Sequence, residues 1–385
     1  MNFQGFVRPD GKVGTRNLVL VIPSVGCSQH TAEMIVKGLK GAVYLPNILG
    51  CGQIGEDRDI VKRTLVGFAL NPNIFASLVV GNGCEQLAPQ SLADEIAAGG
   101  KRAEVVVIQE CGGVRKTVAQ GRKIVKEMLG HAAMVSREPV PLSALIVGTE
   151  CGGSDYTSGL ASNPAVGIAA DMIVTEGGTV ILSETPELIG AEHLLAKRAR
   201  TPEIAKKLCD VVAWLEGKAL EGGQNIREAN PSPGNKEGGI TTLEEKSLGC
   251  IYKAGTSHVE EIIGPAFPPT RKGLVYMDTP ANDIEQLTCM VAGGAQIVVF
   301  TTGRGTPPGS PIAPVIKITG NHDTYLNMKD AMDMDVSAII RGKESISSAG
   351  RRIFEQIVAA ASGKFTKAER LGQRDFCIYK INMNI

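Results

Sequence analysis

Five times in its first 151 residues the chain runs a short apolar stretch into a phrase of glycine and cysteine. Cys27 lies in IPSVGCS, Cys51 in NILGCGQ, Cys84 in VVGNGCE, Cys111 in VIQECGG and Cys151 in VGTECGG. Stretches with apolar residues at helical spacing fall between them. Short apolar runs alternating with helices predict parallel strands joined by crossover helices. Such a sheet lines up everything that follows its strands along one edge, and ligands bind outside that edge. The pattern therefore predicts an architecture and, with it, an edge rich in thiols.

The strands are predicted at Leu18–Ile22, Ala42–Leu45, Phe75–Val80 and Ala103–Ile108, with helices over Thr31–Leu39, Asp57–Leu70, Ser91–Ala98 and Val114–Leu129. The stretch VSREPVP, Val135–Pro141, carries two prolines and reads as a linker that ends a first α/β domain, residues 1–138. A second α/β domain, 139–385, has strands at Ala144–Val147, Thr179–Ser183, Gly273–Met277, Gln296–Thr301 and Val315–Ile318. Its helices are predicted over Val166–Glu176, Glu187–Arg200, Ile204–Gly217, Asp283–Ala292 and Ser347–Ala361. The fold class is α/β: two Rossmann-like open, mostly parallel sheets flanked by helices. The polar segment Gly222–Gly239 reads as a long loop, and loops of that length in compact domains are functional or disordered.

Composition removes whole classes of partner. Forty basic and 40 acidic residues cancel, and aromatics make up 4%. A nucleic-acid or membrane-surface binder would favour a basic face or stacking aromatics. The N-terminus has no apolar signal region and no run long enough to span a bilayer, so the expected location is cytoplasmic. There, nine cysteines are reduced thiols rather than disulfides. Thiols at several strand ends read as ligands for zinc, iron or an iron–sulfur cluster. The competing reading is a set of small buried hydrophobes under the sheet edge. No C-x-x-C pair is present, and Cys209, Cys250, Cys289 and Cys377 fall in helical or strand patterns that read as core.

Gly50–Gly55, GCGQIG, matches the dinucleotide fingerprint in letters. Glu56 and Asp57 follow directly, where a pyrophosphate would sit on the helix N-terminus, and no acid stands near Phe75 to hold a ribose. A nicotinamide oxidoreductase is therefore the weakest reading. Three later loops are more informative. Gly148–Pro164 carries Glu150, Ser154, Asp155 and Asn163; Asn230–Gly249 carries Asn235, Lys236 and Lys246; Thr301–Gly309 carries Arg304. Carboxylates, hydroxyls, amides and cations together suit a small anionic substrate with several hydroxyls. An arginine at a strand end is a receptor for its carboxylate. The plain alternatives are solvated lysines and turn residues. Glu184, after the strand TVIL, reads equally as a helix cap or a site residue, and His30 and His193 are secondary candidates.

The phrases GTECGGSDYTSGLASNPAVG, ILSETPELIGAEHLL, NPSPGNKEGGITTLEEKSLG and FTTGRGTPPG, in this order, resemble the large domain of the altronate/galactarate dehydratase family. RPDGKVGTRN, SVGC, LGCGQ and GNGCE fit the same resemblance, which covers nearly the whole chain. It implies a hydro-lyase acting on sugar acids, with iron as cofactor, either Fe2+ or an iron–sulfur cluster. It also implies a split enzyme, in which a separate small SAF-type subunit supplies the domain that precedes this region in the one-chain dehydratases, and an oligomer. MKDAMDMDVSAIIRGKES and ASGKFTKAERLGQRDF are more similar to the large subunit of sulfolactate sulfo-lyases, which makes a carbon–sulfur lyase the alternative. A non-catalytic sugar-acid-binding subunit is a third reading.

Dehydration of a hydroxy acid asks for a base at the α-carbon, stabilisation of the enediolate, and an acid or metal at the departing hydroxyl. Under the resemblance, Cys27, Cys51 and Cys84 are the expected metal ligands, and Cys151 is a fourth ligand or lines the pocket. Lys236 or Lys246 is the expected base, as a desolvated lysine tuned towards neutrality, with Glu150 and Asp155 as competitors. Arg304 binds the carboxylate, with Ser154, Asn163 and Asn235 beside the substrate. Cys111 fits the strand-end pattern but not the family phrases.

Overall fold

The computed structural model describes residues 1–382, 384 and 385. Strand β1 (Asn2–Val7) turns back on β2 (Val13–Gly14). Next come β3 (Leu18–Pro23), β4 (Ala42–Tyr44), β5 (Ile74–Gly81) and β6 (Arg102–Val107), all parallel, in the spatial order β4-β3-β5-β6. Helices Gln29–Val36, Gly55–Leu70 and Pro89–Ala98 make the crossovers, and Val114–Ala133 follows the last strand.

The expected linker is instead a strand, β7 (Glu138–Pro141), paired antiparallel with β1. Its prolines are tolerated because β7 is an edge strand with no ladder beyond it. The larger sheet then takes β8 (Ile146–Cys151), β9 (Thr179–Leu182), β10 (Val259–Ile263), β11 (Gly273–Met277), β12 (Ile297–Thr301), β13 (Val315–Thr319) and β14 (Met334–Asp335). All seven are parallel, in the order β10-β11-β9-β8-β12-β13-β14.

Both sheets reverse their winding once. The chain moves from β3 to β4 on one side and returns to β5 on the other; it moves from β8 towards β9 and returns to β12. A crevice opens at the carboxyl ends of the strands at each reversal. The two units share apolar surface. Leu20, Ile22 and Val79 of the small sheet pack in one cluster with Ile181, Val275, Val298 and Phe300 of the large one. The outer faces are covered separately, by helices Gln29–Val36 and Val114–Ala133 on the small sheet and by Asn163–Thr175 and Ile346–Ala361 on the large one.

Two further differences concern the site. The helix expected over Glu187–Arg200 is broken into a turn at Thr185–Leu188 and a short helix, Glu192–Ala196, because Gly190 adopts a left-handed φ of 88° between them. The polar segment Gly222–Gly239 contains the short helices Ile226–Ala229 and Pro233–Glu237. Among the described residues, no helix is long and apolar enough to cross a membrane.

Candidate active site

Strand β8 ends at the winding reversal of the large sheet, and successive side chains leave its opposite faces. Cys151 points to one face and Glu150 to the other. The loop beyond is tight: a Cβ on Gly152 would lie 2.1 Å from Asp283 Oδ2. On the Cys151 face, Glu184 follows β9 in a left-handed backbone conformation, φ 79°, which a glutamate adopts only when its surroundings impose it. Its Oε1 accepts a hydrogen bond from the Cys151 amide at 3.0 Å, and its own amide donates to Thr279 Oγ1 at 3.0 Å.

Helix Leu243–Ile251 completes the site. Thr242 caps it, accepting from the Glu245 amide at 3.2 Å. Lys246, Cys250 and Lys253 recur at spacings of four and three, so they share one face of the helix and the turn after it. Lys253 is fully buried. Its Nζ donates to Cys151 Sγ at 2.7 Å and Cys250 Sγ at 3.3 Å, and makes a short ion pair with Glu184. Cys250 Sγ lies 3.1 Å from Glu184 Oε2. Lys246 Nζ pairs with Glu187 Oε1 at 2.7 Å and reaches Asn230 Oδ1 at 3.1 Å.

The electrostatics follow from this pairing. Burial opposes the charge of Lys253, but Cys151, Cys250 and Glu184 around it hold its pKa well above the ordinary value. Burial likewise opposes Lys246, and Glu187 more than offsets it, so its pKa is raised. That reverses the expectation of a lysine tuned towards neutrality: desolvation is present, but a carboxylate is in contact. The Cys250 thiol is pushed well up by its hydrogen bond with Cys151 and by burial. The donor atoms of Cys151, Cys250, Glu184 and Glu187 lie within 4.8 Å of one another, so this set could hold a metal ion. Lys253 already brings an ammonium to three of the four.

The opposite face of β8 carries a different arrangement. Glu150, Phe300 and Lys317 stand in register on three adjacent strands. Lys317 Nζ lies 3.3 Å from the Phe300 ring centre, and neither this nitrogen nor either Glu150 carboxylate oxygen has a hydrogen-bond partner. Burial pushes Glu150 well up, lowers Lys317 to about 7, and raises Asp283 to about 6.

A cavity of about 220 Å³ opens beside β8 and reaches Cys151, Ser154, Asn163 and Lys246, with Tyr156 and Tyr252 at its mouth. Five of the expected site residues meet there, these four and Asp155. Asp155 lines it too, but its carboxylate is taken up by the amides and hydroxyl of Thr157 and Ser158 and by Asn321 Nδ2. Asn163 bonds to Gly249 and Thr301. Asn235 closes a capping box with Ser232 and donates to the Ser154 carbonyl at 2.8 Å, outside the cavity. Lys236 is exposed on the same short helix, and Arg304 pairs with Glu237 at 3.1 Å; neither lines the cavity. His30 and His193 are exposed. Sequence reasoning missed Glu187 and Lys253 and assigned Cys250 to the core. The legible signal was the helical spacing of Lys246, Cys250 and Lys253 within KSLGCIYKAG.

Cys151 does not join Cys27, Cys51 and Cys84. Those three stand exposed in the loops after β3, β4 and β5 of the small sheet. GCGQIG forms part of this edge rather than a nucleotide site. Asp57 turns its carboxylate onto the amides of Ile381 and Asn382, both at 2.7 Å, at the helix end a phosphate would need.

Residues 5–133 match the model of the second domain of D-galactarate dehydratase/altronate hydrolase, and residues 142–384 that of the C-terminal domain of D-galactarate/altronate dehydratase. The chain is 36% identical over 384 residues to (2R)-sulfolactate sulfo-lyase subunit beta of Chromohalobacter salexigens, covering 98% of this chain and 97% of that one. It is 38% identical to galactarate dehydratase (L-threo-forming) of Escherichia coli, covering 94% of this chain and 73% of that one. It is 33% identical to altronate dehydratase of Bacillus subtilis, covering 100% of this chain and 78% of that one. A fold of two parallel sheets, an acid–thiol–lysine site at a winding reversal and matches along nearly the whole length lead to one conclusion: the chain belongs to the D-galactarate/altronate dehydratase family of carbon–oxygen lyases.

Proposed function

We propose that the chain removes water from a sugar acid such as altronate or galactarate and releases a 2-keto-3-deoxy acid. The observation that carries this is the cavity at the end of β8, which brings a charged lysine and a thiol together in one small space. Lys246, kept charged by Glu187, pairs with the substrate carboxylate or delivers a proton to the departing hydroxyl. Cys151, bonded through Sγ to Lys253, is the group placed to take the α-proton. Ser154 and Asn163 face the hydroxyls. Iron is the proposed metal, held by Cys27, Cys51 and Cys84, three exposed thiols at the ends of adjacent strands; the Cys151 set already has the Lys253 ammonium among its donor atoms. When bound, iron supplies Lewis-acid chemistry.

A second subunit is part of this proposal. The sulfo-lyase relative is a "subunit beta" of matching length, and the dehydratase relatives are longer than this chain. A cytoplasmic location is proposed with it. The full-length match to the sulfo-lyase subunit favours one alternative, loss of sulfite from an equally anionic substrate.

The test is 2-keto-acid formation from altronate, galactarate and sulfolactate by the iron-loaded chain with a candidate small subunit present. Cys151→Ser and Lys246→Met are expected to lose about 100-fold or more in kcat/KM while keeping their iron. Full activity in both variants would rule out this cavity as the reaction site.

A further inference from the structure

We infer that Cys151 and Cys250 are a modification site, a thiol pair that hydrogen peroxide oxidises reversibly to a disulfide. The pairing rests on geometry alone; its effect on turnover rests on the lyase reaction proposed above.

A buried cysteine is ordinarily a small hydrophobe. Cys289 is one, packed in the apolar cluster that joins the two sheets. Cys151 and Cys250 are buried as well, but their neighbours are charged. Lys253 Nζ donates to both sulfurs, at 2.7 and 3.3 Å. Glu184 Oε2 lies 3.7 Å from Cys151 Sγ and 3.1 Å from Cys250 Sγ. The two sulfurs lie within 4.8 Å of each other. They are held there by different elements, the end of β8 and helix Leu243–Ile251. A disulfide joins its sulfurs at about 2.05 Å, so bond formation asks for side-chain rotation and not for a change of fold.

Access separates the roles of the two thiols. Cys151 lines the cavity of about 220 Å³, and Cys250 does not. Hydrogen peroxide therefore meets Cys151 first. The Cys151 sulfur attacks one peroxide oxygen, the O–O bond breaks, and a sulfenic acid forms as one water leaves. The Cys250 sulfur then attacks the sulfenic sulfur, and the S–O bond breaks. Glu184, in contact with both sulfurs, passes the Cys250 proton to the departing oxygen, which leaves as the second water. Two thiols and one peroxide give one disulfide and two waters; the sulfurs lose the two electrons that the peroxide gains. Cys250 is thus the resolving thiol, which stops Cys151 short of the irreversible sulfinic acid. The bond removes the thiol that faces the substrate. It also ties β8 to the helix that supplies Lys246, Leu248 and Gly249 to the cavity wall.

The full chain is treated with a small excess of hydrogen peroxide, denatured in an alkylating reagent, digested and read by mass spectrometry. The expected result is a peptide pair joined through Cys151 and Cys250, with both thiols lost to alkylation together and both restored by dithiothreitol. In Cys250→Ser the same treatment carries Cys151 on to sulfinic acid, which dithiothreitol does not reverse. The wild-type cross-link needs no variant, so a poorly folded Cys250→Ser leaves the test intact. Three results would overturn the inference: both thiols still open to alkylation, Cys151 joined to Lys253 or to another cysteine, or sulfinic acid at Cys151 in the wild type. The cross-link is read without substrate, so failure of the lyase reading and failure of this one are seen separately. Where both hold, 2-keto-acid formation falls as the cross-link forms and returns with dithiothreitol.

Discussion

Single residues on the two faces of β8 meet opposite fates. On the Cys151 face, Lys253 has Glu184 and Lys246 has Glu187, so each buried ammonium has a carboxylate. On the Glu150 face, Lys317 lies over the Phe300 ring without a hydrogen-bond partner, and the nearby carboxylates offset its burial only in part. Burial lowers its pKa from 10.5 to about 7, so above pH 7 the folded chain carries a neutral amine where the unfolded chain still binds a proton. The unfolded state then holds more protons, and stability rises with pH from about 7 to about 10.5. Below pH 7 the full penalty applies. Lys317→Met is therefore expected to stabilise the protein at pH 7, by about 1 kcal/mol or more, with the gain shrinking as pH approaches 10.5. Urea unfolding at pH 7 and pH 10 measures both halves; a loss of stability at pH 7 would mean that the ammonium has a partner. None of this is legible in VIKIT, where a lysine inside an apolar strand looks like the polar step of an alternating pattern.

Elements were more legible than contacts, for a physical reason. Strands buried on both faces read as continuous apolar runs, and LVLVI, FASLVV and IVVF announce themselves. Cysteines at their ends were visible as a pattern, because a parallel sheet sends every strand end the same way. Hidden were elements whose logic is tertiary. β7 pairs through an edge although it carries two prolines, and helix Leu243–Ile251 sits in a stretch of glycine, threonine and charge. Which cysteines meet was hidden too: Cys151 finds Cys250, far along the chain, and not the thiols it resembles in sequence. Gly50 tests the strand-end loops as an element. With φ at 118° and no room beside Ser24, Gly50→Ala is expected to cost about 1–3 kcal/mol and to lower iron retention along with stability. A variant with unchanged melting and iron content would show that this loop is free to shift.

The molecule as a whole is held by one apolar cluster that spans both sheets. Separate cores would melt separately, but a shared one is lost when either side opens. Chemical denaturation is expected to show one transition, coincident in far-ultraviolet circular dichroism and in hydrogen exchange of β5 and β12. Two resolved steps would mean that the shared surface adds little. The pairing of β1 with β7 bears on a different question. Gly5 lies opposite Glu138, so the chain enters and leaves the small-sheet unit through neighbouring strands. Connectivity therefore makes this unit a cassette with a single doorway. Insertions in its surface loops cost only the slow logarithmic entropy of longer loops and leave the register of the large sheet untouched. Exchange of the whole cassette is limited by the apolar face it must present, not by the path of the chain.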